Sequence, residues 1–159
     1  MEKYIADLAN APLQRFADWP NREIPSVCAG VYTVHDRHRF IYVGMAGAGL
    51  NESAIEQKRA AGKRSGLFDR LNSHASGYRS GDRFNIYIGD LYVLSTLSPD
   101  DVAGISAGIV SFDAFIKAFI RAELSYRYVI TPNTSVRELE THIQIDGIDG
   151  ERPAINGKH

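Results

Sequence analysis

The sequence predicts an α+β (α/β) protein of one domain, and three observations lead to this class. Two short apolar runs, 31–34 and 40–43, are rich in β-branched and aromatic residues, and the polar segment 35–39 separates them. This pattern is typical of a β-hairpin. Several other segments repeat their apolar residues with the helical period. The chain has 159 residues, 44% of them hydrophobic and 23% charged, which is enough for one well-formed core.

Composition and cysteine content exclude several classes of protein. No apolar run reaches the roughly 18 residues that a membrane-spanning helix needs, so we expect no membrane partner. The first residues mix acids and bases without a long apolar stretch, which argues against a signal peptide. The single cysteine, Cys28, excludes an internal disulfide, disfavours a zinc site built on thiolates and is typical of a reducing cytoplasm.

Residues 1–28 are expected to form a helical extension ahead of the main domain. An amphipathic helix is predicted over 1–19, with a break or a restart at Pro12. The Trp19-Pro20 pair then marks the beginning of a loop that leads into the hairpin.

Beyond the hairpin the pattern predicts helices and one further strand. Capping residues support two of the helix starts, since Ser111 precedes one, and Ser135 with Glu138 has the spacing of a capping box in another. The predicted elements are helices over 51–61 and 67–75, a strand over 84–94, a short helix from Ser98, and helices over 112–128 and 135–145.

The net charge is only −1, but the charges are unevenly distributed. Seven Lys/Arg and two acids lie between Lys58 and Arg83, whereas five acids lie between Glu138 and Glu151. A basic stretch beside an acidic one suits a phosphate-binding surface next to a metal-binding acid. Two ordinary solvated faces are the alternative. The candidate nucleic-acid contacts are Lys58, Arg59, Lys63, Arg64 and Arg79.

Arg70 and His74 are the first candidates for chemistry. They are four residues apart in a predicted helix and therefore share one of its faces. A guanidinium can place two donors on a phosphate, and a neutral imidazole can accept a proton or orient a water. For an isolated pair of this kind, exposure to solvent is the competing explanation.

A carboxylate on the inward stripe of a later helix is the second candidate. Glu140 lies between Val136 and Ile143 on that stripe, where an acid is costly without a partner or a metal. The same argument applies to Glu123, which extends the apolar stripe of the helix that begins near residue 112. Periodicity alone leaves both open, and a structural ion pair is a further alternative.

Two tripeptides of the hairpin each combine a glycine and a tyrosine, Gly30-Val31-Tyr32 and Tyr42-Val43-Gly44. Together with the later candidates, and in this order, they resemble the GIY-YIG nuclease family. Both tripeptides carry valine where isoleucine is usual, and the Arg-x-x-x-His spacing is similar to that of the restriction-enzyme-like branch. The closing pattern of a helical Leu-Glu followed by Pro-x-x-Asn favours Glu140 over Glu123. The matching residues are Gly30-Val31-Tyr32, Tyr42-Val43-Gly44, Arg70, His74, Leu139-Glu140 and Pro153-Ala154-Ile155-Asn156.

The resemblance implies a small central three-stranded antiparallel sheet flanked by helices, within a domain of residues 29–159. Because Arg70 and Glu140 are further apart than in compact members of the family, residues 95–130 are interpreted as an insertion. The activity implied is hydrolysis of a DNA phosphodiester bond with one divalent ion, Mg²⁺ or Mn²⁺.

The resemblance also implies roles for the matching residues. Glu140 would hold the metal, and Arg70 would neutralise charge developing at phosphorus. Tyr32 would be the general base for water, with its pKa lowered by the metal or by His74. Tyr42 would bind the phosphate or position the water.

Three further residues complete the implied site. Asn156 would orient Tyr32, the phosphate or a metal-bound water by hydrogen bonds. Gly30 and Gly44 would let the backbone approach closely where a side chain would block it.

Two alternatives to a nuclease remain open from the sequence. The near-neutral net charge is compatible with a module on the same fold that binds nucleic acid without cutting it. A structural or protein-interaction domain, in which Tyr32 and Tyr42 only pack, is the other.

Overall fold

The computed structural model describes residues 1–37 and 39–156. His38, in the predicted turn of the hairpin, and the last three residues of the expected domain 29–159 therefore lie outside the described residues.

A four-stranded antiparallel sheet forms the centre of the protein. The predicted hairpin is confirmed, because its two strands pair in antiparallel register with Tyr32 opposite Gly44. The sheet has four strands rather than the expected three, in the order β1-β6-β3-β4, and a separate parallel pair is formed by β2 and β5. The strands are β1 (Gln14–Arg15), β2 (Val27–Cys28), β3 (Gly30–Asp36), β4 (Arg39–Ala46), β5 (Ser65–Gly66) and β6 (Leu124–Ile130).

Helices cover both faces of this sheet. Within the described part of the chain, no helix has both the length and the apolar character needed to cross a membrane. The helices are α1 (Glu2–Asn10), α2 (Glu52–Ala60), α3 (Leu67–Ser76), α4 (Arg83–Ile88), α5 (Pro99–Ser106), α6 (Phe112–Glu123) and α7 (Val136–Asp146).

The helix ends follow local capping chemistry in most cases. The Asn51 side chain accepts the Ala54 amide at the start of α2, and Gly77 adopts a left-handed conformation at the end of α3. The helix predicted from Ser98 is confirmed as α5, whose start is a complete capping box. The capping box predicted at Ser135 is wrong, because that side chain makes no capping hydrogen bond.

Three predicted elements differ from the structure. The segment 84–94 is helical rather than extended, with α4 followed by a π-helical turn over Gly89–Val93. The helix predicted over 112–128 ends at Glu123, and the next seven residues form β6, the central partner of β3. The N-terminal helix ends at Asn10, which confirms the break predicted at Pro12, since proline cannot supply a helical amide hydrogen. It does not restart as an α-helix before residue 19, where Phe16–Asp18 form only a 3-10 turn.

The two faces of the sheet bury separate apolar clusters. One face packs Tyr32 and Tyr126 against residues of α3, α4 and α6, among them Leu71 and Ile116. The other face packs Val31 and Val43 against α1 and α7. Alternation of side chains along β3 therefore assigns Tyr32 and its neighbour Val31 to different layers.

Candidate active site

The two motif tyrosines lie side by side on the face of the sheet that packs against α3. Their ring centroids are 6.4 Å apart. Gly44, directly opposite Tyr32, leaves the space that the Tyr32 phenol occupies. A Cβ atom on Gly44 would overlap the Tyr32 hydroxyl and lie 2.6 Å from Tyr32 Cζ and 3.0 Å from the Tyr42 ring. Gly44 is therefore required by the position of Tyr32. Gly30 is required by close backbone contact, since a Cβ there would overlap the Val129 carbonyl oxygen.

His74 of α3 meets Tyr32 from above the sheet. The distance from Tyr32 Oη to His74 Nε2 is 2.6 Å, and both side chains are buried. Arg70 is one turn earlier on α3 and is exposed. The structure thus brings the predicted Arg-x-x-x-His pair to the tyrosines, with the histidine inside and the arginine at the surface.

Asp82 is a buried member of this cluster that the sequence did not single out. Its Oδ2 lies 2.6 Å from His74 Nδ1, and its Oδ1 accepts the Phe84 amide hydrogen at 3.1 Å. Asp82 is therefore also the N-cap of α4. The sequence carries one signal for this role, an aspartate before an apolar segment, but the pattern of that segment predicts a strand rather than a helix.

Burial controls the pKa values of the tyrosines and the histidine. It raises the pKa of Tyr32 well above its usual value, which is opposite in direction to the lowering expected from a bound metal or from His74. It also raises the pKa of Tyr42 to about 12, with a further contribution from the negative charge of Glu140. Burial lowers the pKa of His74, and the hydrogen bond and charge of Asp82 oppose that effect.

Glu140 lies on α7, which packs against the face of the sheet opposite to the Tyr32–His74 pair, and its side chain is half-buried. Burial raises the pKa of its carboxyl, while a hydrogen bond from the Met45 backbone and the charges of Arg137 and Arg70 lower it. The charge of Glu140 raises the pKa of Tyr32 as well as that of Tyr42. Glu123, the other candidate carboxylate, is exposed at the last residue of α6.

An open pocket of about 280 Å³ lies beside the cluster. Arg70 lines it together with Asp69, Ser73, Gly66 and residues 46–47 at the end of β4. The positive charge of Arg70 lowers the pKa of Glu140 and of both motif tyrosines, so it acts on the whole cluster.

Asn156 lies at the open edge of β4. Its side-chain nitrogen donates to the Val43 carbonyl oxygen at 2.8 Å, and its side-chain oxygen accepts the Val43 amide hydrogen at 2.7 Å. Ala154 and Ile155 donate to the carbonyl oxygens of Phe40 and Ile41, so the side chain of Asn156 extends a ladder of backbone bonds. Both groups of the Asn156 amide thus contact the β4 backbone and not Tyr32.

Four of the five basic candidates lie on or just after α2. Lys58 and Arg59 belong to the last turn of α2, and Lys63 and Arg64 follow in the loop before α3. Arg59 donates to the Val27 carbonyl oxygen at 3.2 Å. Lys63 and Arg64 are exposed, and the loop that carries them leads into the helix of Arg70 and His74.

Arg79 differs from the other basic candidates because it is held by α6. Its Nε lies 2.6 Å from an Asp113 carboxylate oxygen, and its guanidinium lies 4.8 Å from the centre of the Phe112 ring. The charge of Arg79 is therefore compensated within the protein.

The donor set at Glu140 fits one kind of metal site. Among residues 1–37 and 39–156, no group of three or more His, Cys, Asp or Glu side chains could enclose a metal ion. Mg²⁺ is commonly held by one or two carboxylates, with waters and substrate phosphate completing its shell. Glu140, a single half-buried carboxylate whose ionised form the charge of Arg70 favours, fits that kind of site.

Searches against protein-family models, curated proteins and solved structures found no match for this chain.

Proposed function

We propose that this protein is a metal-dependent DNA endonuclease that hydrolyses phosphodiester bonds. The observation that supports it is that two phenols, an imidazole, a guanidinium and a carboxylate from four elements are linked, either by short contacts or by the effect of their charges on the pKa values of the others. They are Tyr32 of β3, Tyr42 of β4, His74 and Arg70 of α3, and Glu140 of α7.

The side chains of the cluster divide the work of hydrolysis. Tyr32 accepts a proton from the attacking water, because its own hydroxyl proton can move to His74 across a 2.6 Å hydrogen bond. Tyr42, half-buried, positions the phosphate or the water. Arg70, exposed at the pocket, neutralises the charge that develops at phosphorus.

Glu140 is the residue that would hold the divalent ion, Mg²⁺ or Mn²⁺. When bound, the ion would polarise the phosphate and stabilise the leaving oxygen. Arg70 assists by lowering the pKa of the Glu140 carboxyl, which favours the ionised form that a metal requires.

The basic residues around α2 would hold the DNA backbone. Lys58, Arg59, Lys63 and Arg64 precede the helix of Arg70, so phosphates bound there lead towards the pocket. Cys28 is buried and unpaired, which suits the reducing cytoplasm in which we place this activity.

A plasmid-nicking assay with Mg²⁺ or Mn²⁺ tests this function. We expect the wild type to cut supercoiled DNA, and we expect Arg70→Ala and Glu140→Ala each to reduce the rate at least about 100-fold. Glu123→Ala is the matched control, because it removes an exposed carboxylate from another helix. Metal-dependent cutting that survives both site substitutions, or that is lost in the control, would show that the site is assigned wrongly.

A second candidate function is a nucleic-acid-binding module that does not cut. The observation that favours it is the 1% exposure of Tyr32, since solvent reaches that hydroxyl only when neighbouring side chains move apart. Binding of DNA that weakens with salt, without cleavage in either metal, would support this candidate.

A further inference from the structure

We propose that Asp82 is a positioning residue that sets which nitrogen of His74 carries the proton. The His74 imidazole has one partner on each nitrogen, Asp82 at Nδ1 and Tyr32 at Nε2, both at 2.6 Å. A carboxylate can only accept a hydrogen bond, so Nδ1 must donate. Nε2 of the neutral ring is then the acceptor, and Tyr32 is the donor.

The two oxygens of Asp82 make this assignment specific. Oδ2 faces His74, and Oδ1 accepts the Phe84 amide hydrogen at the start of α4. Both oxygens are therefore occupied as acceptors in a residue that is only 4% exposed. An asparagine has a single acceptor oxygen and cannot replace both contacts.

Packing around His74 keeps other hydrogen-bond partners away from its imidazole ring. The His74 ring lies 4.4 Å from the Phe84 ring centre, 5.4 Å from that of Tyr32 and 6.1 Å from that of Tyr42. His74 itself is 1% exposed. Because the ring is enclosed by aromatic groups, the position of its proton depends on Asp82 rather than on solvent.

This inference gives the proposed hydrolysis a defined path for one proton. As the water oxygen bonds to phosphorus, its proton passes to the Tyr32 oxygen while the Tyr32 proton passes to His74 Nε2. The bond from phosphorus to the leaving oxygen breaks, and that oxygen takes a proton from solvent. The imidazolium that results is paired with the Asp82 carboxylate until it returns its proton to solvent.

The proton position can be measured directly by ¹⁵N NMR of the histidine side chains in the full-length protein. We expect neutral wild-type His74, assigned by comparison with His74→Gln, to show a protonated Nδ1 and an unprotonated Nε2. In Asp82→Asn the amide oxygen stays with Phe84, and we expect the proton to move to Nε2. A proton on Nε2 of the wild-type ring would overturn the proposal, even if Asp82→Asn does not fold.

The kinetic consequence rests on the proposed nuclease function, and the NMR result does not. If DNA is cut, we expect Asp82→Asn to lower kcat at least about 100-fold, because the wrong tautomer faces Tyr32, while the Kd for DNA stays within twofold. Asp101→Asn in the capping box of α5 is the control, and we expect its kcat to be unchanged. A folded Asp82→Asn protein with wild-type tautomer and kcat would overturn the proposal. Absence of cutting by the wild type would instead overturn the proposed function alone.

Discussion

Two consecutive residues of β3, Tyr32 and Thr33, carry hydroxyl groups to opposite faces of the sheet, and each hydroxyl meets a histidine. Tyr32 lies 2.6 Å from Nε2 of His74, and Thr33 lies 3.0 Å from Nε2 of His35. The two pairs differ in the charged residue that acts on the imidazole ring. Asp82 accepts from His74, whereas the charge next to His35 that acts most strongly on it is that of Arg127.

This difference changes which charges act on the pKa of each histidine. At His35, burial and the positive charge of Arg127 lower the pKa to about 4, although Glu151 opposes them. At His74, burial also lowers the pKa, but Asp82 opposes it through both a hydrogen bond and its charge. The same hydroxyl–imidazole contact therefore has a carboxylate behind the ring on one face and a guanidinium charge near the ring on the other.

The face of His35 also contains a polar pocket of about 190 Å³ beneath α1. Arg127 extends into this region and donates to the Ala9 carbonyl oxygen near the C-terminal end of α1. A positive charge at that end of a helix is favourable, so Arg127 also stabilises the end of α1.

The strongest test of the comparison is to push Tyr32 away from its histidine. In Gly44→Ala the new Cβ overlaps the Tyr32 phenol, which cannot move freely because His74 holds it. We expect the free energy of unfolding to fall by about 3 kcal/mol, measured by urea denaturation.

Gly49→Ala is the matched control for that substitution. Nothing lies within 4 Å of a Cβ atom at position 49. We expect the free energy of unfolding to change by less than about 0.5 kcal/mol in Gly49→Ala. An equal loss of unfolding free energy in Gly44→Ala and Gly49→Ala would contradict the close packing of Tyr32 over Gly44.

The second test uses the pH dependence of stability that His35 causes on the opposite face of the sheet. The pKa of His35 is about 4 in the folded protein against 6.5 in the unfolded chain, so between these pH values only the unfolded chain binds the proton. Stability therefore falls as the pH drops from about 6.5 to about 4, by about 2 kcal/mol after allowance for partial exposure.

His35→Gln removes this titration and keeps a polar side chain. We expect unfolding free energies at pH 7 and pH 4.5 to differ by about 2 kcal/mol less in the variant than in the wild type. Equal pH dependence in the two proteins would mean that His35 titrates normally.

The smallest expected effect compares the two hydroxyl groups themselves. Tyr32→Phe leaves Nε2 of the buried His74 without a donor and is expected to cost about 2 kcal/mol. Thr33→Val removes the corresponding contact of His35, which lines a pocket where water can replace it, and is expected to cost about 1 kcal/mol. A larger loss of unfolding free energy in Thr33→Val than in Tyr32→Phe would contradict the conclusion that the hydroxyl bonded to His74 is the more important of the two for stability.

The sequence predicted the parts of the fold that local pattern determines. The hairpin was predictable because its strands are short, β-branched and separated by a polar turn. The helix of Arg70 and His74 was predictable from its apolar stripe and from Gly77. The sequence places Arg70 and His74 on a common face of this helix, as the structure does. The helical period alone does not show that His74 is buried and Arg70 is exposed.

The wrong predictions of secondary structure fall on segments whose residues suit both a helix and a strand. Phe84, Tyr87 and Ile88 are buried at helical spacing, yet aromatic and β-branched residues of this kind also favour strands. The strand β6 was missed because no glycine or proline ends the preceding stripe at Glu123. Asp82 was missed for a related reason, since its role depends on a helix start and on a histidine eight residues away.

The Asn156 side chain at the edge of β4 has a consequence for self-association. The outer edge of a sheet offers unpaired amide and carbonyl groups to any passing strand, including one from another copy of the chain. The segment 154–156 binds the carbonyl oxygens of Phe40 and Ile41 and both backbone groups of Val43, and the carboxamide of Asn156 imitates a peptide unit. The residues of this segment, which lie next to the candidate site, thereby hinder the pairing of this part of β4 with a strand from another molecule.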